Sequence, residues 1–145
     1  MTRQQTRVRI NQIGTVYAPV ADQSRAVSFY VDVLEFEKRI DLNYGGGHRW
    51  IEVAPAGATH RIALVPKGEG SAPTGVHTLC ALETTDVEGM HAALKSRGVS
   101  VSDIGRKGTT RTGLFADDVR VTDPVPPQFY LRDPDGNRFL VVQVQ

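Results

Sequence analysis

The run Pro127-Gln128-Phe129-Tyr130-Leu131-Arg132-Asp133-Pro134-Asp135-Gly136-Asn137-Arg138-Phe139-Leu140-Val141-Val142-Gln143 limits the folds open to this chain more than any other stretch. Two segments rich in aromatic, aliphatic and β-branched residues flank Asp-Pro-Asp-Gly-Asn. Pro134 presets φ at the first central position of a turn, and Gly136 supplies the positive φ that closes a type I turn with a bulge. The stretch therefore predicts a β-hairpin. Both strands carry apolar residues on both faces, so neither face is built simply for water. One face is expected to meet a helix and the other to line a concavity or a partner.

The rest of the chain is organised to match. Val8, Ile10 and Ile13 lead into a strand, Thr15 to Val20. Asp22 reads as a helix N-cap. Ala26, Phe29, Tyr30, Val33 and Leu34 then recur at helical spacing. Phe36 to Leu42 reads as a second strand and Tyr44-Gly45-Gly46-Gly47 as a turn. No Lys-Ser/Thr pair or helix start follows that glycine run, so it makes a poor phosphate cradle. His48 to Ala54 and His60 to Pro66 read as strands around Pro55-Ala56-Gly57-Ala58. Lys67 to Thr74 lacks periodicity and reads as a linker.

The pattern then repeats. Gly75 to Glu83 is a strand, Thr85-Asp86-Val87-Glu88 a capping-box candidate, and Met90, Ala93 and Leu94 the apolar face of a second helix. Gly98 ends that helix, and Val99 and Val101 begin the next strand. Asp22 and Asp86 hold the same place in the two halves. Each half reads strand, helix, three strands: an α+β chain of two tandem β-α-β-β-β modules, about 8–66 and about 75–145, within a single domain covering 1–145. Ile104 to Pro127 is a long excursion in the second module, either a surface loop or a lid. Leu114-Phe115 and Val119-Arg120-Val121 suggest a strand inside it.

Bulk properties exclude several classes. A chain of 145 residues is about one domain. A net charge of +1 offers no broad basic face, so no nucleic-acid partner is expected. No apolar run approaches the roughly 18 residues of a membrane span, so no membrane partner is expected either. Met1 to Arg9 is polar and lacks a signal core, which points to the cytoplasm. Cys80 is the sole cysteine, so neither a disulfide framework nor a cysteine metal cluster is available.

The Asp-Pro-Asp-Gly-Asn hairpin, Phe29-Tyr30 followed by Asp32-Val33-Leu34, and the two-module repeat together resemble the vicinal-oxygen-chelate superfamily, which includes glyoxalase I, extradiol dioxygenases and bleomycin-resistance proteins. The resemblance covers nearly the whole chain. It implies two curved mixed sheets forming a cup, completed within one chain or between two, and a homodimer. Its usual glycine after the first helix is Glu35 here, so a differing or mildly strained cap is expected.

The resemblance also implies a metal site, with one ligand on the first and one on the last strand of each module. The matching positions are Thr15, Ala63, Leu79 and Leu140. Three of these are apolar and the fourth is a poor neutral donor, so no metal and no other cofactor is expected. A displaced divalent-metal site from His77, Glu52 and Glu83, placed on one face by strand parity, stays open as an alternative. Otherwise Glu52 and Arg61 form a cross-strand ion pair, and His48, His60 and His91 are surface residues. Cys80 is expected to be buried and inert.

The geometry implied by the resemblance lines the cup with Thr15, Tyr17, Trp50, Glu52, Arg61 and Ala63 from the first half. The second half adds His77, Leu79, Ala81, Glu83, Gln128, Tyr130, Leu140 and Val142. Such an apolar face with an aromatic wall suits a flat or amphipathic small molecule. Two readings follow. One is a metal-independent binder of a hydrophobic or aromatic ligand, like the bleomycin-resistance branch. The other is a lyase, isomerase or dioxygenase with a displaced metal, or a metal-free acid/base enzyme using Glu52, Glu83 or Tyr130.

Overall fold

Strand β1 (Thr15–Val20) runs into Asp22, whose side chain accepts a hydrogen bond from the Arg25 amide at 3.1 Å and so opens helix α1 (Gln23–Ser28). The computed structural model describes residues 7–67, 74–105, 110–111, 119–120 and 126–145. After Ser28 the helix widens into a π-helical turn over Phe29–Val33, where the Leu34 amide reaches back to the Phe29 carbonyl at 3.1 Å. The Phe36 amide then closes on the Tyr30 carbonyl at 2.9 Å. That closure requires a left-handed residue, and Glu35 takes the position at φ 62°.

The cap is therefore strained, as the sequence leads one to expect. Left-handed backbone costs a residue with a Cβ about 1–2 kcal/mol. Glu35 gains in return an ion pair with Arg97 at 2.9 Å, and both side chains are well exposed. Exposed pairs contribute little. Glu35→Gly is expected to stabilise the protein by about 0.5–1 kcal/mol, seen as a higher urea midpoint at unchanged slope.

Strands β2 (Glu37–Gly45), β3 (His48–Ala54) and β4 (Arg61–Pro66) complete the first module. The sheet order is β1-β4-β3-β2, with β1 parallel to β4 and the other pairs antiparallel. The second module repeats this plan. It comprises β5 (His77–Thr84), α2 (Val87–Ser96), β6 (Ser100–Val101), β9 (Gln128–Arg132) and β10 (Arg138–Gln143), in the order β5-β10-β9-β6 with β5 parallel to β10. The helix crossover makes each module's first and last strands parallel, and the hairpins make the rest antiparallel. Two tandem β-α-β-β-β modules are thus observed. Between β6 and β9 an antiparallel pair, β7 (Thr110–Arg111) and β8 (Val119–Arg120), lies in the long excursion. The expected strand at 119–120 is present. Leu114, Phe115, Val121 and most of the linker at Lys67 to Thr74 lie outside the described residues.

The closing hairpin forms as its sequence dictates. Gly136 sits at φ 84°, its amide bonds the Asp133 carbonyl at 2.9 Å, and the Asp133 amide bonds the Asn137 carbonyl at 3.0 Å. Helix α2 departs from expectation in two ways. Asp86 caps it through the Gly89 amide at 3.0 Å, so the third helical position is Gly89 and Glu88 closes no capping box. Its inward face runs Val87, His91, Leu94 rather than through Met90, which is exposed. His91 is therefore no surface residue: its ring packs edge-on against Phe129 with centroids 5.0 Å apart, and Nε2 lies 2.8 Å from the Ser102 carbonyl oxygen.

Both modules feed one apolar core that includes Val20, Tyr30, Ile51, Leu64, Leu94, Phe129, Leu131 and Phe139. Cys80, expected to be buried, is half-buried; it packs against this core from β5, and burial pushes its thiol pKa up. A polar knot crosses the core between the modules. The Tyr30 hydroxyl donates to Asp133 Oδ2 at 2.7 Å, and Asn137 Nδ2 donates to the same oxygen at 2.8 Å and to the Pro19 carbonyl at 2.7 Å. Burial first, and Asp133 second, push the Tyr30 phenol well above its ordinary pKa. Among the described residues no helix is long and apolar enough to cross a membrane.

Candidate functional site

Core residues alternate along the strands with residues on the sheet faces turned away from the helices. In the first module these are Thr15 and Tyr17 on β1, Trp50 and Glu52 on β3, and Arg61 and Ala63 on β4. The register pairs Thr15 with Arg61, and Tyr17 with Ala63, which in turn meets Glu52. The face is organised around one buried carboxylate. Trp50 Nε1 donates to Glu52 Oε2 at 2.6 Å, and Arg61 Nε forms a close ion pair with Oε1. The expected cross-strand pair is therefore present. It is diagonal on the sheet, since Glu52 lies directly opposite Ala63. The Tyr17 ring stands edge-on to Trp50 with centroids 5.7 Å apart, and Tyr17 remains 57% exposed. The result is an aromatic wall over a neutralised ion pair. Both carboxylate oxygens are engaged, so Glu52 is poorly placed to take up a substrate proton.

In the second module the corresponding face carries Gln128 and Tyr130 on β9 and Leu140 and Val142 on β10. The register sets Tyr130 opposite Leu140 and Gln128 opposite Val142. Tyr130, Gln128 and Leu140 are buried. The His77 ring packs edge-on against Tyr130 at 5.5 Å, and the Arg138 guanidinium lies over the same ring at 4.5 Å. Arg138 was missed from sequence. Its parity with Leu140 and Val142 is the signal that finds it.

Strand β5 corrects the parity argument. His77 pairs with Arg138, but Ala81 pairs with Leu140, so β5 takes four steps where β10 takes two. The intervening bulge places Leu79 at φ 57° and leaves it 61% exposed. Thr78 repairs the ladder, donating from its hydroxyl to the Arg138 carbonyl at 2.7 Å and accepting from the Cys80 amide at 3.3 Å. The Leu79 amide donates to His77 Nδ1 at 3.3 Å. His77 and Leu79 therefore do not sit side by side on a regular strand. Ala81 and Glu83 keep the face, and both are exposed.

The positions that the resemblance assigns to metal ligands do not suit a cation. Thr15 is half-buried, Ala63 and Leu140 are buried, and Leu79 stands exposed on the bulge. A divalent ion finds one hydroxyl and three hydrocarbon walls there. The displaced set fares no better. Glu52 is held by Trp50 and Arg61 on β3, His77 packs on Tyr130, and Glu83 is exposed further along β5. Among the described residues no three His, Cys, Asp or Glu side chains come together to hold a metal.

Two cavities lined by described residues bear on the site. One of about 170 Å³ opens on the second face, among Ser100, Ser102, Tyr130, Arg132 and Arg138. The other, of about 300 Å³, lies on the helix side between the end of the π-helical turn and α2. Neither is lined by residues of both outward faces.

The Glyoxalase family model, described as Glyoxalase/Bleomycin resistance protein/Dioxygenase superfamily, matches residues 9–141. An uncharacterized protein of Bacillus subtilis (strain 168), YetH, is 31% identical over 132 residues, which is 91% of this chain and 98% of that protein. The crystal structure of TnmS3, an antibiotic binding protein from Streptomyces sp. CB03234, superposes with a TM-score of 0.74 at 29% identity, covering 96% of this chain and all of that one (100%). A superfamily member from Sphaerobacter thermophilus gives 0.73 at 28% identity, over 93% of this chain and 98% of its own.

Proposed function

We propose that this chain, which belongs to the glyoxalase/bleomycin resistance protein/dioxygenase superfamily, is a metal-independent binder of a flat, hydrophobic or aromatic small molecule. The observation that carries this reading is the pairing of two features on the outward faces. The positions for metal ligands are Thr15, Ala63, Leu79 and Leu140, which offer a cation almost nothing, while Tyr17, Trp50 and Tyr130 offer a ligand aromatic surface. TnmS3, at 29% identity, is itself an antibiotic binding protein, which supports a sequestering role. Glu52, the buried carboxylate of the face, is spent on Arg61 and Trp50, which disfavours acid/base chemistry by it.

The site needs a second copy of the chain. Tyr17 stands open on the first face and Leu79 on the β5 bulge, and Val8, Ile10 and Ile13 are more than three-quarters exposed ahead of β1. A homodimer that sets the first face of one copy against the second face of the other covers this apolar surface and closes a cup. Trp50 is the single tryptophan, so it reports directly on the cup. Titrating planar aromatic compounds onto the purified protein is expected to change Trp50 emission saturably, at one ligand per cup, while light scattering gives a dimer mass. A stable monomer whose emission answers to no compound contradicts the reading.

A further inference from the structure

The end of the second face nearest the closing hairpin gathers positive charge without a matching carboxylate among the described residues. Arg138 on β10 and Arg132 on β9 occupy directly opposed register positions. Like charges set across a ladder repel. Yet among the described residues neither guanidinium has an acidic partner; Arg132 Nη1 donates to the Gly136 carbonyl at 3.1 Å, and Arg138 lies over the Tyr130 ring. Arg138 Nε is buried and meets no acceptor. A buried, charged donor left unsatisfied is costly and calls for a partner that the described residues do not provide. Both arginines line the cavity of about 170 Å³, together with Ser100, Val101, Ser102 and Tyr130. Among the described residues its walls hold no Asp or Glu.

We infer that this cavity is an anion subsite, and that the cup's ligand is an aromatic carboxylate whose acid group enters between Arg132 and Arg138 while its ring rests by Tyr130 and Leu140. The inference rests on the binder reading and adds the charge of the ligand to it. A carboxylate at this point gives Arg138 Nε its acceptor, relieves the repulsion between the two guanidiniums, and engages both through charge-assisted hydrogen bonds. The first face contributes no competing cation, because Arg61 is already paired with Glu52.

Calorimetric titration with 2-naphthoate and 2-naphthamide, which share a ring system and differ in charge, tests this. The wild-type protein is expected to hold the acid about tenfold more tightly than the amide, a preference that shrinks as salt is raised. Arg138→Gln and Arg132→Gln are each expected to remove most of that preference, the acid-to-amide affinity ratio falling to within about twofold of one. Circular dichroism and thermal melts check that the variants fold. Arg132 is exposed, so its variant decides the matter if Arg138→Gln unfolds. Equal affinity for acid and amide, or a preference untouched in the Arg132 variant, overturns the anion subsite and leaves the binder reading standing. Failure to bind either compound overturns both.

Discussion

Replacing Asn137 with alanine is expected to destabilise the protein by about 3 kcal/mol, the largest loss from any single polar side chain here. Asn137 is fully buried. Its Nδ2 donates to the Pro19 carbonyl at 2.7 Å and to Asp133 Oδ2 at 2.8 Å, and its Oδ1 accepts from the Val76 amide at 3.1 Å. Truncation leaves a strand carbonyl, a backbone amide and a buried carboxylate each short of a partner, and each such loss costs about 1 kcal/mol or more. The effect reaches beyond the hairpin because Pro19 belongs to β1 and Asp133 also accepts from Tyr30 in the first module. In a chain of this size a loss of that order lowers the melting temperature by about 6–12 °C. Calorimetry on Asn137→Ala beside Asn137→Asp checks it. A shift under about 2 °C for the alanine variant would show that water or rearrangement replaces the knot.

The second large effect concerns Arg61. Glu52 is 5% exposed, and its charge is balanced by Arg61 and stabilised by the Trp50 indole. Arg61→Met keeps much of the stem's volume but leaves the carboxylate buried beside hydrocarbon. Breaking a buried pair from one side costs about 3–5 kcal/mol. The Arg61 side chain is 30% exposed, so water reaches the pair, and the expected cost is about 2–3 kcal/mol. The double change Glu52→Gln with Arg61→Met removes the charge, keeps an acceptor for Trp50, and is expected to recover more than half of the loss. Urea denaturation of the wild type, both single variants and the double variant measures the coupling. Additive losses would mean that the two side chains do not stabilise each other.

What could be read from sequence was what the chain settles locally. The closing hairpin follows from Pro134 and Gly136, the two helix starts from Asp22 and Asp86, and the strained cap from Glu35 in a place that favours glycine. The mixed sheet order follows once two helices are seen to connect their flanking strands. What escaped depends on partners distant in sequence. The bulge in β5 exists only against β10, and nothing in His77-Thr78-Leu79-Cys80 announces a left-handed leucine. His91 turned inward because its ring packs on Phe129 and its Nε2 meets the Ser102 carbonyl oxygen, partners distant in sequence, so the buried stripe of α2 runs Val87, His91, Leu94 rather than through Met90. Arg138 was legible by alternation with Leu140. Its place over Tyr130 was not, because it required the register between β9 and β10. The outward faces were legible as strand alternation, and the register sets Tyr17 beside Ala63 and Tyr130 opposite Leu140. How two such faces meet is a matter of assembly, which strand patterns do not encode.

The central claim is that the cup binds its ligand without a metal, and one measurement tests it most directly. Protein dialysed against a chelator, with elemental analysis of the same sample, is titrated with the planar aromatic compound that most strongly alters Trp50 emission. The account predicts the same saturation curve before and after chelation, with less than about a tenth of an equivalent of zinc, nickel, iron or manganese present. A curve that vanishes on chelation and returns with one equivalent of divalent metal would contradict it, and would restore a metal centre that Thr15, Ala63, Leu79 and Leu140 do not provide.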